Sequence, residues 1–520
     1  MRIHLLPLSF LCALFLWLGG APAYGQPAPL SGFDDYVRGS VRDWDVPGLA
    51  VSVVKDGKVV LAKGYGVRKL GAPAPVDEHT LFAIGSISKS FTAMALGLLV
   101  DEGKISWDDP VTQYLPYFQL ADPFASREMT IRDLLVHRSG LPDFCGGILW
   151  YGSDYSREEV VKRLRYLKPA TSFRSTFAYQ SVTYMAAGEI VRAVSGKSWD
   201  DFIRERLFTP LGMKESSSLY RDLKTAKNLA LPHIRVDGKT VAIGYRDSDS
   251  LGPAGSIVSS VSDMARYMQV LLADGALEGK RIYSEKVARE LFTPQMLVPL
   301  RPSSAPELKP LNAMFHAYGF GWFMKDYRGR KLIVHTGGMD GMSAVVMLVP
   351  EEKLGVTVLS HQDGGISYAA ALRVLDAYLG APQTDWAGIV LKFRAQDEQK
   401  EKAAEDTLVA ARIQGTKPSL ELSRYAGSYR DRMYGDLSIV QEKGGLVLKF
   451  SHSPAFTADL QPWQYDTFRI HWRDPMNFPK GFLTFTLDSK GKIKGFEFDQ
   501  PKLLDVNFAE LSIERVPDSP

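Results

Sequence analysis

The sequence predicts a mixed α/β (α+β) fold, in which a central antiparallel sheet is flanked by helices, followed by a small all-β domain. Strand patterns occur at both ends of the first 380 residues, as a hairpin around Asp56-Gly57 and as alternating segments between residues 318 and 360. The middle of this region has helical periodicity, and short strands with glycine-containing turns return after Tyr425. We therefore expect both ends of the first region to form one sheet, with the middle supplying the helices.

The elements follow from local signals. Asp56-Gly57 is a two-residue hairpin turn, and Thr130 with Asp133 forms a capping box for a helix expected to run to Gly140. The other expected helices cover residues 33–44, 86–102, 182–194, 200–208, 260–272, 369–379 and a charged stretch at 392–412. The expected strands cover 49–54, 58–62, 318–325, 331–335, 344–349, 356–360, 437–440, 446–450, 482–487 and 493–498.

These patterns divide the chain into segments 1–25, 26–382, 383–420 and 421–520. The first has basic residues before an apolar run at 5–18, and small residues that allow cleavage after Ala23 or Gly25. It is typical of a secretory signal peptide, so a periplasmic or secreted location is expected, with an uncleaved anchor as the alternative. The linker 383–420 is highly charged, and the last segment is expected to be a β barrel or sandwich. Cleavage would leave Cys145 as the sole cysteine, which excludes an internal disulfide.

Composition limits the partners. The net charge is +3, and basic and acidic residues are interspersed, so the sequence has no nucleic-acid footprint. None of the nine histidines belongs to an H-E-x-x-H motif, which disfavours a metallohydrolase. We expect a small-molecule or peptide substrate, no metal, no cofactor and no second membrane segment, and the oligomeric state stays open.

The pattern Ser-x-x-Lys occurs three times, and one copy has geometry for chemistry. Ser52/Lys55 lies in an alternating strand and Ser489/Lys492 in a hairpin turn, whereas Ser86/Lys89 begins a helix. Residues three apart on a helix share a face, and the first turn has unpaired backbone N–H groups. A hydroxyl, an amine and free N–H donors are the parts of an acyl-transfer site. The alternative interpretation is an ordinary helix start with a surface lysine.

Two later segments carry further candidates. Tyr179-Gln180-Ser181 places a phenol and a hydroxyl just before a helix, and His335-Thr336-Gly337-Gly338 ends a strand where glycines permit close approach of a ligand. Taken singly, each is more often packing or a turn.

Taken in order, these motifs resemble the serine β-lactamase-like family of class C β-lactamases, D,D-peptidases and related esterases. The resemblance covers residues 30–380, and the segment from 421 resembles the lipocalin-like domain appended to some members. The matching segments are Ser86-Ile87-Ser88-Lys89, Tyr179-Gln180-Ser181 and His335-Thr336-Gly337, with flanks at 130–142, 209–213 and Pro253-Ala254-Gly255-Ser256 with Asp263.

The resemblance implies a serine hydrolase that forms an acyl-enzyme on Ser86, with Lys89 and Tyr179 managing the proton. Which of these two is the base stays open, because a lysine accepts a proton only if its pKa is lowered. The resemblance places the oxyanion between the N–H groups of Ser86 and Gly338. It assigns substrate contacts to Ser181, His335, Thr336 and Gly337.

Two departures from the family pattern bear on the substrate. Ser181 replaces the usual Asn, and His335 replaces the lysine of class C β-lactamases, which weakens the expected anchoring of a carboxylate. Peptides with D-amino acids, amides and esters are therefore the expected substrates. The alternatives are a carboxylesterase, a weak β-lactamase, or a non-catalytic peptidoglycan- or penicillin-binding protein. The last domain is expected to cover the cleft and limit substrate size.

Overall fold

The computed structural model describes residues 29–476, 478–503 and 505–517. The signal segment expected at 1–25 lies outside the described residues. Within the described ranges, every helix is too short or too polar to cross a membrane.

An eight-stranded antiparallel sheet organises the first domain. Its strands are β1 (Gly48–Lys55), β2 (Lys58–Gly66), β3 (Met296–Leu297), β4 (His316–Tyr318), β5 (Phe323–Tyr327), β6 (Arg330–Met339), β7 (Met342–Val349) and β8 (Leu354–Ser360). The spatial order is β2-β1-β8-β7-β6-β5-β4-β3. Because β1 pairs with β8, the two ends of the domain close one sheet, which confirms the predicted architecture.

Helices cover both faces of this sheet. The longer ones are α1 (Phe33–Asp43), α2 (Ser88–Asp101), α3 (Val182–Ser195), α4 (Val261–Leu272), α5 (Ile366–Tyr378) and α6 (Trp386–Ala410). Shorter helices are Val111–Tyr114, Pro123–Glu128, Ile131–Leu135, Arg157–Arg163, Trp199–Ile203, Thr209–Leu211, Tyr220–Leu223, Gly252–Gly255, Glu285–Leu291 and Leu422–Tyr425.

The alternation of side chains along β1 explains why both faces are buried. Val51 and Val53 point to the face covered by α1 and α5, and Ala50 joins the cluster that contains α2, α3 and α4. Successive residues of a strand face opposite sides, so a strand buried on both faces reads as a continuous apolar run. The α2 and α3 side of the sheet carries the helical middle of the chain.

Two predicted boundaries were wrong for backbone reasons. The segment 318–325 forms β4 and β5 with a turn between them, because Gly321 adopts a φ of 78°. A Cβ on Gly321 would lie 2.7 Å from the Ser90 Cα, so this turn packs tightly against α2. The helix that begins after Thr130 has the predicted capping box but ends at Leu135, and His137 has a left-handed φ of 59°.

The last domain is a closed barrel, which decides between the two predicted β architectures. Its strands are β9 (Gly427–Asp431), β10 (Gly435–Glu442), β11 (Gly445–Phe450), β12 (Ala458–Gln464), β13 (Thr467–Trp472), β14 (Phe482–Leu487), β15 (Ile493–Asp499) and β16 (Ile513–Arg515). Neighbours in sequence pair in order, and β16 closes the barrel on β9.

The charged linker segment contains α6. Hydrogen bonds attach the chain to the first domain at the start of α6 and to the barrel just after its end. The Trp386 indole donates to Asp376 Oδ2 over 2.8 Å, and this tryptophan is fully buried. After the helix, Arg412 Nε donates to the Trp463 carbonyl over 2.8 Å. Most side chains between these anchors are exposed, as the charge pattern predicts.

The barrel packs directly on the first domain. One continuous apolar cluster contains buried residues of both domains, and the Tyr155 ring stacks on His452 with centroids 4.1 Å apart. Arg246 bonds to Asp340 on one side and to Asp474 of the barrel on the other. Removal of residues 421–520 would therefore expose buried surface of the first domain.

Candidate active site

Ser86 lies on the 3₁₀ turn Gly85–Ile87 that leads into α2. This turn meets the end of β6. A Cβ on Gly85 would lie 2.7 Å from the Gly338 nitrogen, and one on Gly337 would lie 1.8 Å from the Ile84 carbonyl oxygen. Only glycines permit this approach of strand and turn, which brings the backbone of residues 337–338 beside Ser86.

Lys89 is completely buried beneath Ser86. Its Nζ lies 3.0 Å from Ser86 Oγ, 3.0 Å from the Ala254 carbonyl oxygen and 3.3 Å from Ser181 Oγ. Burial lowers the pKa of Lys89 to about 7, although Asp505 acts in the opposite direction. The predicted helical face thus holds a hydroxyl and an amine in contact, and the amine can be neutral near pH 7.

Tyr179 covers the same group from the other side. Its ring centroid lies 4.8 Å from Lys89 Nζ. Burial, with a further contribution from Asp505, raises the Tyr179 pKa well above its ordinary value. The backbone N–H of Tyr179 donates to Asp143 Oδ1 over 2.7 Å, which fixes the loop before α3. The phenol therefore stays protonated near neutral pH.

His137 packs beside Tyr179, with ring centroids 4.3 Å apart. Its Nδ1 accepts the N–H of Gln180 over 3.1 Å, and burial lowers its pKa well below the ordinary range. The helix ends two residues earlier, at Leu135, and this neutral, fully buried ring lies behind Tyr179.

The β6 candidates divide into exposed and buried groups. Thr336 and Gly338 are exposed to the cavity. His335 also lines the cavity but is almost fully buried, with its Nδ1 2.7 Å from the Thr336 carbonyl oxygen and its Nε2 3.1 Å from the Tyr318 hydroxyl. Burial, assisted by the charge of Lys89, lowers the His335 pKa to about 3. His335 is therefore neutral and already hydrogen-bonded at both nitrogens. Gly337 packs on the Ile84 carbonyl rather than contributing to the cavity wall.

Ser181 has a partner that sequence reasoning missed. Its hydroxyl donates to Asp505 Oδ2 over 2.6 Å, and Asp505 belongs to the barrel domain, 324 residues further along the chain. Asp505 also lines the cavity. No local motif marks this aspartate, because only the docking of the barrel brings it to the site.

These groups open into a cavity of about 780 Å³. Ser86, Tyr179, Ser181 and Thr336 lie in its wall. Its apolar and aromatic walls include Phe144, Trp150, Phe177, Leu251, Leu300 and Phe323, and its charged lining includes Asp143, Asp340, Asp505, Arg301 and Lys325. This volume and mixed lining suit a small organic molecule or a short peptide.

The remaining thiol is unrelated to this chemistry. Cys145 is a buried free cysteine, and burial raises its pKa well above the ordinary value. A buried thiol with a raised pKa is a poor nucleophile. The site therefore depends on the hydroxyl of Ser86.

A serine in the wall of a cavity, paired with a buried lysine on a helical turn against an antiparallel sheet, defines a serine hydrolase with the transpeptidase-like mixed α/β fold. A family model described as "Beta-lactamase" matches residues 33–381, and the chain belongs to this family. A second model, "Domain of unknown function (DUF3471)", matches residues 411–515, which include the barrel.

Named relatives agree with this assignment. The chain is 28% identical over 456 residues to the unguisins hydrolase ungD of Aspergillus violaceofuscus, which covers 81% of this chain and 78% of the relative. It is 27% identical over 363 residues to a D-aminopeptidase of Cereibacter sphaeroides, covering 66% and 63% respectively. The solved octameric penicillin-binding protein homologue from Pyrococcus abyssi has a similar fold, with a TM-score of 0.62, 23% identity, and coverage of 91% of this chain and 98% of that one.

Proposed function

We propose that the chain hydrolyses peptides, amides or esters that contain D-amino acids, through an acyl-enzyme on Ser86. One observation carries the proposal: the fully buried Lys89 Nζ lies 3.0 Å from Ser86 Oγ and has a pKa lowered to about 7. A free lysine is almost entirely protonated at pH 7, and this shift increases its neutral fraction roughly a thousandfold. Lys89 is therefore suited to act as the base.

In the first step, Lys89 takes the proton of Ser86 while Oγ bonds to the substrate carbonyl carbon. The carbonyl π electrons move to its oxygen, and the tetrahedral intermediate then expels the amine or alcohol with a proton. The protonated Lys89 supplies that proton through Tyr179: the phenol, which burial keeps protonated, gives its proton to the leaving group and takes the proton held by Lys89, so that Lys89 is neutral again. Water attacks the resulting ester, with Lys89 again as the base, and restores Ser86.

The N–H groups of Ser86 and Gly338 are proposed to stabilise the oxyanion. Their positions follow from the glycine contacts between the Ser86 turn and β6, which place the Gly338 nitrogen beside Gly85. Loss of one such donor commonly reduces the rate by about 100- to 1000-fold.

The substrate class rests on the relatives and the cavity together. A relative is named a D-aminopeptidase, and the cavity of about 780 Å³ has room for a short peptide. His335 is buried and neutral, so it does not supply the cation that would anchor a carboxylate. We therefore expect weak β-lactam turnover at most.

Intact-mass analysis after treatment with a fluorophosphonate tests the proposed nucleophile. A single adduct on the wild type that is absent from Ser86→Ala supports the acyl-enzyme. Absence of an adduct on a folded wild-type sample would contradict it and favour a non-catalytic binding protein.

Paired substrates test the specificity. The wild type should hydrolyse p-nitroanilides of D-alanine or D-phenylalanine at least tenfold faster than the L-enantiomers, because the reacting centre must lie against one cavity wall. Nitrocefin and p-nitrophenyl acetate, measured beside them, separate the β-lactamase and carboxylesterase alternatives. Equal rates for both enantiomers would overturn the D-amino-acid assignment.

We also propose that the protein is exported, on the basis of the signal-like segment 1–25. Expression of the full sequence in a Gram-negative host, followed by N-terminal sequencing of the periplasmic protein, should find cleavage after Ala23 or Gly25. Retention of the intact N-terminus in the cytoplasm would contradict export.

A further inference from the structure

We propose that Asp505 of the barrel is a positioning residue for catalysis, which sets the direction of the hydrogen bonds that orient Lys89 toward Ser86. The inference rests on the proposed function, since it concerns how the base is oriented. It gives the barrel domain a part in the reaction beyond packing.

Three contacts carry the inference. Asp505 Oδ2 lies 2.6 Å from Ser181 Oγ. Lys89 Nζ lies 3.3 Å from the same Ser181 oxygen and 3.0 Å from Ser86 Oγ. Ser181 is 3% exposed and Lys89 is fully buried, so the contact between them is shielded from water, whereas Asp505 and Ser86 line the cavity. Asp505 of the barrel is thus linked to the nucleophile Ser86 through the Ser181 hydroxyl and the Lys89 amine.

The donors and acceptors determine the orientation of the amine. A carboxylate only accepts hydrogen bonds, so the single proton of Ser181 is directed to Asp505. The Ser181 oxygen must then accept from Lys89, and the Ala254 carbonyl accepts the second N–H of the neutral amine. With both N–H groups engaged, the nitrogen lone pair is left for the third neighbour, Ser86.

Ser181 alone could not impose this direction. A hydroxyl can donate as well as accept, so without Asp505 it could donate to the Lys89 lone pair and compete with Ser86. Ser181 stands where relatives with the Tyr-x-Asn motif have an amide. In this chain, the serine and the barrel aspartate together provide a defined contact to the lysine.

Asp505 also acts on the charge of Lys89. Burial is the main influence on the Lys89 pKa, and the Asp505 charge raises it. The other titratable groups around the amine are Tyr179 and Tyr184, with ring centroids 4.8 and 5.6 Å away, and the histidines 137 and 335. Burial keeps these four groups neutral near pH 7, so removal of the Asp505 charge should lower the Lys89 pKa further.

The rate of fluorophosphonate inactivation as a function of pH tests the inference without knowledge of the natural substrate. Asp505→Ala should inactivate about ten- to a hundredfold more slowly than the wild type at its optimum, because the base loses its orientation. Asp505→Asn keeps the size and an acceptor oxygen, and the acid limb of its profile should move to lower pH by about one unit. Glu497→Gln, an exposed charge on β15, is the matched control and should leave the profile unchanged.

A double-mutant cycle shows whether Asp505 acts through Ser181. If it does, Asp505→Ala should have little effect in a Ser181→Ala background, since the hydroxyl to be oriented is gone. An equal effect in both backgrounds would overturn the inference, as would wild-type rates and pH profiles for both Asp505 variants.

The failures of the two proposals are distinguishable. If wild-type Ser86 is not labelled, the proposed function fails and the inference fails with it. If Ser86 is labelled but the Asp505 variants behave as the wild type, only the inference fails. Thermal unfolding of each variant checks the fold, and Asp505→Asn, which is isosteric, carries the test if Asp505→Ala does not fold.

Discussion

A fully buried lysine, Lys89, and a partly buried arginine, Arg246, have opposite electrostatic environments. Lys89 is surrounded by two hydroxyls and a carbonyl oxygen, and burial lowers its pKa to about 7. Burial would also lower the pKa of Arg246, but Tyr151, Asp340 and Asp474 raise it overall. Arg246 bonds directly to both carboxylates, at 3.0 and 2.9 Å.

The difference between the two sites lies in direct pairing. A carboxylate in contact with a buried cation stabilises the charged form, whereas neutral acceptors do not compensate the loss of water. The cation that joins the two domains is therefore kept charged, and the cation beneath the nucleophile is prepared to lose its proton. Asp505 approaches Lys89 only through Ser181.

The largest expected effect comes from removing the amine. Lys89→Met keeps the length of the side chain and leaves no buried charge, so the fold should persist while the rate of Ser86 modification falls by about a thousandfold. Circular dichroism and fluorophosphonate labelling measure the two outcomes. Labelling at the wild-type rate would show that another group is the base.

Removal of the Arg246 charge should lower the free energy of unfolding and leave the reaction of Ser86 unchanged. Arg246→Met leaves Asp340 and Asp474 buried without their partner and should cost about 2–4 kcal/mol of unfolding free energy. Denaturant unfolding measures it, and the pH dependence of labelling should be unchanged.

The matched control for that loss is an exposed pair. Arg430→Met breaks the contact with Asp436. The side chain of Arg430 is 60% exposed and that of Asp436 is 54% exposed. Its expected cost is below about 1 kcal/mol. Equal losses for the two arginine variants would show that burial does not distinguish them.

The smallest expected effect is the change of kcat/KM with pH that follows from the protonation of Lys89. Lys89 must be neutral to accept a proton, so kcat/KM should fall about tenfold per pH unit below its pKa of about 7 and level off above it. A pH–rate profile with p-nitrophenyl acetate checks this. An acid limb near the ordinary lysine pKa of 10.5 would mean that Lys89 is not desolvated in solution.

Much of the fold could be predicted from sequence because its signals are local. The Asp56-Gly57 turn and the capping box at Thr130 each depend on a few neighbouring residues. The predicted strand over 318–325 was wrong because the turn there is imposed by contact with α2. The prediction of a helix from Thr130 to Gly140 was wrong, because the helix ends at Leu135 and His137 adopts a left-handed backbone conformation.

The sequence by itself determined the pair Ser86 and Lys89, because residues three apart on a helix must share a face. It could not determine that His335 is buried and neutral, since burial is a property of packing. Nor could it determine that Asp505 lies 2.6 Å from Ser181. That contact joins residues far apart in the chain, and it exists only because the closed barrel docks beside the cavity.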